Sequence, residues 1–340
     1  MEEDTDFVRF KRGKLRQPNI IKIKRTSTPD DVAAVLAKER NRDNKHTEGD
    51  EGDDDPRVCD EDVEEEVKEY GDARDVLDFG AEVTAKNRHI THGFHLVEGK
   101  MKHGMEDFLV AENRKMKGYD LGLYAIFDGH SGRKVAKYLR THLFDNILKE
   151  PDFWENPESA LKRAYKKTDN EILKNVVGAR GGSTAVTAIL INQKQLVVAN
   201  VGDSRAVLCR NGEVKQITVD HDPLKRKEKK MVEGKGGFVS KKPGNVPRVD
   251  GQLAMTRAFG DAKLKEHITV EPDVTIEKID EETEFIVLAS DGLWKVTSNE
   301  EVADCIRGLK SGQEAAEELI EKALLRGSKD DISCVVVKLG

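Results

Sequence analysis

Three short apolar runs in this sequence end in an aspartate beside a glycine. Leu123-Tyr124-Ala125-Ile126-Phe127 leads into Asp128-Gly129-His130, Val197-Val198-Ala199-Asn200-Val201 into Gly202-Asp203-Ser204, and Phe285-Ile286-Val287-Leu288-Ala289 into Ser290-Asp291-Gly292. Glu106-Asp107 and Asp330-Asp331 supply further carboxylates. Two like charges about 4 Å apart repel by about 4 kcal/mol at an effective dielectric near 20, so acids that converge require cations between them. Oxygen-only ligands suit Mg²⁺ or Mn²⁺ better than zinc, which prefers His and Cys. A single Asp-Gly pair reads more simply as a turn, but five acidic motifs along one chain do not. His130 beside Asp128 has three available roles: metal ligand, structural hydrogen-bonder or proton donor. An alkoxide leaves an alkyl phosphate poorly, so a general acid has much to contribute there, and two metals would lower the pKa of water and hold phosphoryl oxygens.

These residues need strand tips to hold them. Each apolar run is rich in Val, Ile, Leu and Phe and is bounded by Gly, the signature of a buried strand. Ser183 to Ile191, Gln195 to Val201 and Ala206 to Cys209 read as consecutive strands, with Asn211-Gly212 a hairpin turn and Ile332 to Leu339 a closing strand. Val135 to Ile147, Ala160 to Ile172, Glu300 to Leu309 and Glu314 to Leu325 carry helical spacing. Strands joined by hairpins, with helices before, between and after them, predict α+β layers.

The bulk composition sets bounds. Hydrophobic residues make up 37% and charged residues 36% of the 340, so part of the chain is expected to stay unpacked. Residues 1–86 are the candidate for a charged, largely disordered extension, with Asp53-Asp54-Asp55 and Glu64-Glu65-Glu66 following a basic stretch from Arg9 to Arg25. Within it, Thr28-Pro29-Asp30-Asp31 resembles a helix start, with Val32, Val35 and Leu36 as its stripe, and Thr28-Pro29 doubles as a proline-directed phosphorylation sequence. The net charge of -7 disfavours nucleic acid as a partner. No apolar stretch approaches the roughly 18 residues of a membrane span, and Met1-Glu2-Glu3-Asp4 lacks a signal-peptide pattern. Scattered Cys59, Cys209, Cys305 and Cys334 suggest free thiols in a reducing compartment, cytoplasmic or nuclear.

Several ordered motifs carry a resemblance. Gly99 to Glu106, Phe127-Asp128-Gly129-His130-Ser131-Gly132, Gly182-Ser183-Thr184-Ala185, Asn200-Val201-Gly202-Asp203-Ser204-Arg205, Gly251-Gln252-Leu253-Ala254, Thr256 to Asp261, Ala289 to Trp294 and Lys329 to Ser333 together resemble the protein phosphatase 2C family of metal-dependent Ser/Thr phosphatases, plant members most of all. The resemblance spans about residues 87–340 and implies a four-layer αββα sandwich of two antiparallel sheets flanked by helices, with two Mg²⁺ or Mn²⁺ ions in the catalytic domain. It implies that Asp128 bridges both ions, Gly129 offers its carbonyl to one, and Asp291 and Asp330 ligate the other. It also implies that Glu106 and Asp107 act on the ions or their waters, Asp203 stands near a weaker third ion, and His130 protonates the leaving oxygen. Gly236-Gly237 to Arg248 corresponds to the flap bordering the substrate cleft. Phosphoprotein substrates and a monomeric enzyme are the expected partnership.

Two departures stand out. Lys102 occupies a phosphate-gripping position where the family usually has arginine, and it keeps the charge but loses the bidentate fork. Lys295 replaces the second aspartate of Asp-Gly-x-Trp-Asp, which puts the third metal position in doubt and makes altered metal dependence a fair expectation. These substitutions also keep a second reading in play, a catalytically weak relative serving as a phosphoprotein-binding or interaction module. Asp78-Phe79-Gly80 lacks the other kinase motifs, Gly178 and Gly181-Gly182 precede no Gly-Lys-Ser/Thr, and no cysteine has arginine six places on. His103 and His221 read as solvated or core histidines, and Trp294 as packing behind the Asp291 turn.

Overall fold

Side chains along the strand containing Leu123 to Phe127 enter two apolar cores in alternation: Leu123, Ala125 and Phe127 one, Tyr124 and Ile126 the other. That alternation is the period of a strand buried on both faces, and it requires two layers on one side or the other of every central strand. The structure, a computed structural model, describes residues 89–176 and 181–340. The expected extension over residues 1–86, its helix start at Thr28, Cys59, Asp78-Phe79-Gly80 and Gly178 lie outside the described residues.

Among the described residues, ten strands form two antiparallel sheets of five. In chain order they are β1 (Ile90–Val97), β2 (Phe108–Met116), β3 (Tyr119–Phe127), β4 (Ala185–Ile191), β5 (Gln195–Val201), β6 (Arg205–Arg210), β7 (Glu213–Gln216), β8 (Asp273–Lys278), β9 (Thr283–Ala289) and β10 (Ile332–Leu339). One sheet runs β1-β10-β9-β6-β7 and the other β8-β5-β4-β3-β2. The strands Gln195 to Val201 and Ile332 to Leu339 fall where the sequence places them. At the β6–β7 hairpin Asn211 and Gly212 have φ of 49° and 78°, the paired positive values that a two-residue turn of this hand demands.

Among the described residues there are six α-helices, four of which cover the outer faces. α1 (Lys134–Leu148) and α2 (Pro157–Asn175) bring Leu139, Leu143, Ile147, Leu161 and Tyr165 onto the β3 sheet. α3 (Arg226–Gly234) lies in a small subdomain described below, and α4 (Asp291–Trp294) is a single turn. α5 (Asn299–Ile306) and α6 (Gly312–Leu325) pack Val302, Ile306, Leu319 and Ile320 against Val287 and Val336 of the other sheet. Between the sheets, Tyr124, Ile126, Val186 and Ala188 meet Leu208, Ile286, Leu288, Val335 and Val337. The result is the expected α+β four-layer sandwich. Each fully buried aliphatic side chain in these layers contributes about 1.5–3 kcal/mol, so the core rather than helix propensity holds the helices. Their starts are nonetheless written locally: Asn156 accepts from Ser159 N ahead of Pro157, and Ser298 and Glu301 form a reciprocal capping box.

The subdomain with α3 has its own small core, Val232, Val249, Leu253, Met255, Ala258, Leu264 and Ile268. A two-residue ladder, Val239–Ser240 on Arg248–Val249, closes the flap that the sequence places at Gly236 to Arg248.

Candidate active site

Antiparallel pairing puts the end of one strand beside the start of its neighbour. Phe127 at the end of β3 pairs with Phe108 at the start of β2, Val201 with Ala185, and Ala289 with Cys334 near the start of β10. Asp128, Asp203 and Asp291 follow such strand ends, while Glu106, Asp107 and Asp330 precede such starts. Register alone therefore carries all six acids to one end of the sandwich.

Backbone and hydroxyl contacts hold each turn. Asp128 N donates to Thr184 Oγ1 at 3.1 Å, Thr184 N returns to Asp128 O at 2.9 Å, and Thr184 Oγ1 meets Ser204 Oγ at 2.7 Å. Gly202 (φ 104°) passes so close to Thr184 that a Cβ would lie 2.6 Å from its methyl, so the Asp203 turn requires glycine. Ser333 Oγ donates to Asp107 Oδ2 at 2.7 Å. Glu106 Oε1 accepts from Gly132 N at 2.7 Å, tying the Glu106 loop to the turn after His130. Gly129 pairs with Ser183 in a short ladder, holding its backbone beside the Asp128 turn.

The electrostatics are those of acids crowded out of water. Burial, then the charges of Asp107, Asp291, Asp203 and Asp330, lift the Asp128 pKa well above the usual carboxylate range. Burial raises Asp107 to about 7, and burial with the Asp291 charge raises Asp203 to about 7. Asp203 Oδ1 is enclosed and has no hydrogen-bond partner, a cost that a buried acceptor bears only where something else is to satisfy it. Among the described residues no three His, Cys, Asp or Glu side chains stand ready as a ligand group for a metal ion. Yet an oxygen-only set, raised in pKa by burial and then by its own repulsion and with an orphaned oxygen, has the chemistry that fits a hard divalent cation.

One cation is built in. Lys295 Nζ lies 2.6 Å from Asp291 Oδ2 and 2.9 Å from Asp330 Oδ2, and these carboxylates push its own pKa upward. Lys295 thus bridges Asp291 and Asp330; its charge reaches Asp203 only at longer range, where it lowers that pKa. Lys102 is exposed on the loop before Glu106.

His130 Nε2 is 2.7 Å from Asp261 Oδ2, while Nδ1 is enclosed and has no hydrogen-bond partner. Gly182 makes the pair possible, because a Cβ there would lie 2.2 Å from Asp261 Oδ2 and 2.6 Å from His130 Nε2. Asp261 sits at φ 49°, its N–H donating to Gly181 O at 2.8 Å. The Thr256–Asp261 motif does not by itself give Asp261 a role; the Gly260-Asp261 pair at its end is the sequence signal for one. Asp331, counted with Asp330 among the acidic motifs, anchors backbone: its carboxylate accepts from both Gly99 N and Glu106 N at 2.7 Å. His221 is buried, as a core histidine should be, but it also grips the Asp203 turn. Gly202 N donates to its Nδ1 at 2.9 Å and its own N–H to Gly202 O at 3.0 Å. His103 is partly exposed, with Nδ1 3.7 Å from Glu106 Oε2. Trp294 packs as expected, its Nε1 donating to Ala289 O at 2.9 Å.

Residues 95–332 match the family described as Protein phosphatase 2C. The chain belongs to the protein phosphatase 2C family. It is therefore a metal-dependent Ser/Thr protein phosphatase of plant-like type. It is 68% identical to "Probable protein phosphatase 2C 28" of Arabidopsis thaliana over 74% of this chain and 74% of that protein. With "Probable protein phosphatase 2C 62" of Oryza sativa subsp. japonica the identity is 59%, over 74% of this chain and 87% of the relative. The fold is similar to the crystal structure of a serine-threonine phosphatase 2C from Toxoplasma gondii. That likeness has TM-score 0.65 and 23% identity, and covers 76% of this chain and 96% of the other. No helix among the described residues of this protein phosphatase 2C is long and apolar enough to cross a membrane.

Proposed function

We propose that this phosphatase hydrolyses phosphoserine and phosphothreonine in proteins with two Mg²⁺ or Mn²⁺ ions, and that His130 is its general acid. The observation that carries the reading is the set of mutually repelling acids around Asp128. Asp128 and the Gly129 carbonyl, with Asp291, Asp330 and Asp203, are the groups that would hold the ions, and Glu106 and Asp107 would orient their surroundings. When bound, the ions supply a lowered pKa for water and charge to hold the phosphoryl oxygens.

The chain's own groups do the rest. Asp261 holds His130 Nε2, which fixes the ring, and Nδ1 is then the nitrogen left to pass a proton to the leaving Ser or Thr oxygen. Lys102, exposed on the loop before Glu106, would meet a phosphate as a point charge. No observation among the described residues favours the interaction-module reading. Hydrolysis of a phosphothreonine peptide should appear with Mn²⁺ or Mg²⁺ and vanish with EDTA. Turnover that survives EDTA, or is absent with every metal, sinks the two-metal enzyme. A monomer in the cytoplasm or nucleus completes the proposal.

Lys295 sets an expected metal requirement. Its ammonium already neutralises Asp291 and Asp330, so an incoming ion must displace it. Lys295→Asp should lower the Mg²⁺ or Mn²⁺ concentration for half-maximal activity by about tenfold. An unchanged metal titration would remove Lys295 from the account of metal dependence.

A further inference from the structure

Within residues 224–248 stand nine Lys and Arg against two Glu, in a chain whose net charge is -7. One of those glutamates, Glu228, is buried and pairs inward with Arg257 at 2.6 Å; the other, Glu233, lies 3.7 Å from Lys229. Lys225, Arg226, Lys230, Lys241 and Lys242 are exposed and form no ion pair with any described residue. Three apolar side chains stand exposed among these charges, Leu224 at 56%, Phe238 at 56% and Val246 at 53%. Unpaired like charges interleaved with bare apolar groups cost stability and solubility, and they fit a ligand of opposite charge that also brings an apolar group.

This surface is fastened to the catalytic turns. Its base residue His221 hydrogen-bonds Gly202 beside Asp203 and accepts from Thr256 N at 3.0 Å. Arg257, locked by Glu228 and by Asp273 at 3.0 Å, begins the Arg-Ala-Phe-Gly-Asp run that ends at Asp261 under His130. The base of this surface is thereby joined through His221 and the Arg257 to Asp261 run to the turns that carry Asp203 and His130.

Resting on the phosphatase reading, we propose that the flap and α3 form a docking surface for acidic segments of the substrate. The occupant is an extended stretch of a phosphoprotein with Asp or Glu and at least one large apolar residue flanking its phosphoserine or phosphothreonine. The charged contacts steer and select, while Phe238, Val246 and Leu224 cover the apolar residue.

The full chain would be assayed on a phosphothreonine peptide with acidic and leucine flanks, on the same peptide with Asn and Gln for its acids, and on p-nitrophenyl phosphate. Lys225→Glu/Arg226→Glu/Lys230→Glu and, separately, Lys241→Glu/Lys242→Glu change exposed side chains without described partners, so the fold should survive. The triple variant should raise KM for the acidic peptide about tenfold, each exposed pair contributing a factor of about two. The kcat, the neutral peptide and the aryl phosphate should be unaffected. The wild-type preference should shrink as salt rises from about 0.05 M to about 0.5 M. Equal KM for the two peptides, or equal losses on all three substrates, overturns the proposal. Anisotropy of the labelled acidic peptide in EDTA separates the two readings. Binding weakened by the variants without any hydrolysis leaves docking standing and removes the enzyme, whereas hydrolysis without acidic preference does the reverse. Two results would assign the face to another occupant and overturn the partner: a dimer dispersed by the triple variant, or a tenfold affinity gain when Asp53, Asp54 and Asp55 become Asn and Glu64, Glu65 and Glu66 become Gln.

Discussion

Asp128→Asn should lower kcat on a phosphothreonine peptide by about 10³-fold or more while making the metal-free protein more stable. Both effects come from one geometry. Asp128 is the carboxylate repelled by Asp107, Asp291, Asp203 and Asp330 together, so neutralising it removes the proposed bridging ligand and also relieves the crowd. The contacts that shape its turn, to and from Thr184, use backbone atoms of residue 128 and persist in the variant. The pH dependence follows in sign. Asp107 and Asp203 titrate near 7 in the folded chain against about 3.9 unfolded, so the native state holds more protons between those values. Without metal, stability is therefore greatest on the acid side and falls as pH rises through 7. Thermal melts in EDTA should show Tm dropping by about 5 °C between pH 5 and pH 8, less steeply in Asp128→Asn. Mg²⁺ should restore Tm in wild type only. A variant that keeps its activity, or a wild type whose metal-free Tm rises with pH, contradicts the crowded-acid account.

The second large effect concerns the proton. His130→Ala should cost about 10²- to 10⁴-fold in kcat on phosphothreonine, and under about tenfold on p-nitrophenyl phosphate, whose leaving phenolate needs little protonation. Asp261→Asn should give a smaller loss with the same leaving-group pattern, as befits a positioning residue. Equal losses on both substrates would show that His130 holds the site together rather than delivering a proton.

Much of this architecture was legible because the informative residues are either buried or strained. β5 and β10 read directly, since runs such as Ile332 to Leu339 are buried at every position and carry no competing helical pattern. β2 and β8 escaped notice: Phe108–Met116 and Asp273–Lys278 are edge strands, whose exposed charged residues break the apolar signal. α3 was missed for a related reason, because Arg226–Gly234 buries only Glu228 and Val232 and its apolar side chains, Met231 and Val232, are adjacent rather than repeated at helical spacing. At the site, carboxylates next to glycine announced themselves locally. The work of Asp261 and Asp331 did not, because it is done on residues far along the chain, His130 in one case and Gly99 and Glu106 in the other. A single sequence marks where a turn bends but not which distant group it meets. Lys295 shows the same limit: its type was evident, but that it would bridge Asp291 and Asp330 depended on how β9 and β10 lie together.

The Asp331 carboxylate binds Gly99 and Glu106, residues more than 200 positions earlier in the chain, and it introduces β10, the strand that pairs with both β1 and β9. The loop bearing Lys102 and Glu106 consequently keeps only one end of its fastening, the Glu106 to Gly132 contact, until β10 takes its place between β1 and β9. During synthesis, a chain still short of Asp331 has already made Asp128 and His130 but lacks the carboxylate that holds Gly99 and Glu106. Such a growing polypeptide should gain phosphatase competence only once Ile332 to Leu339 have paired.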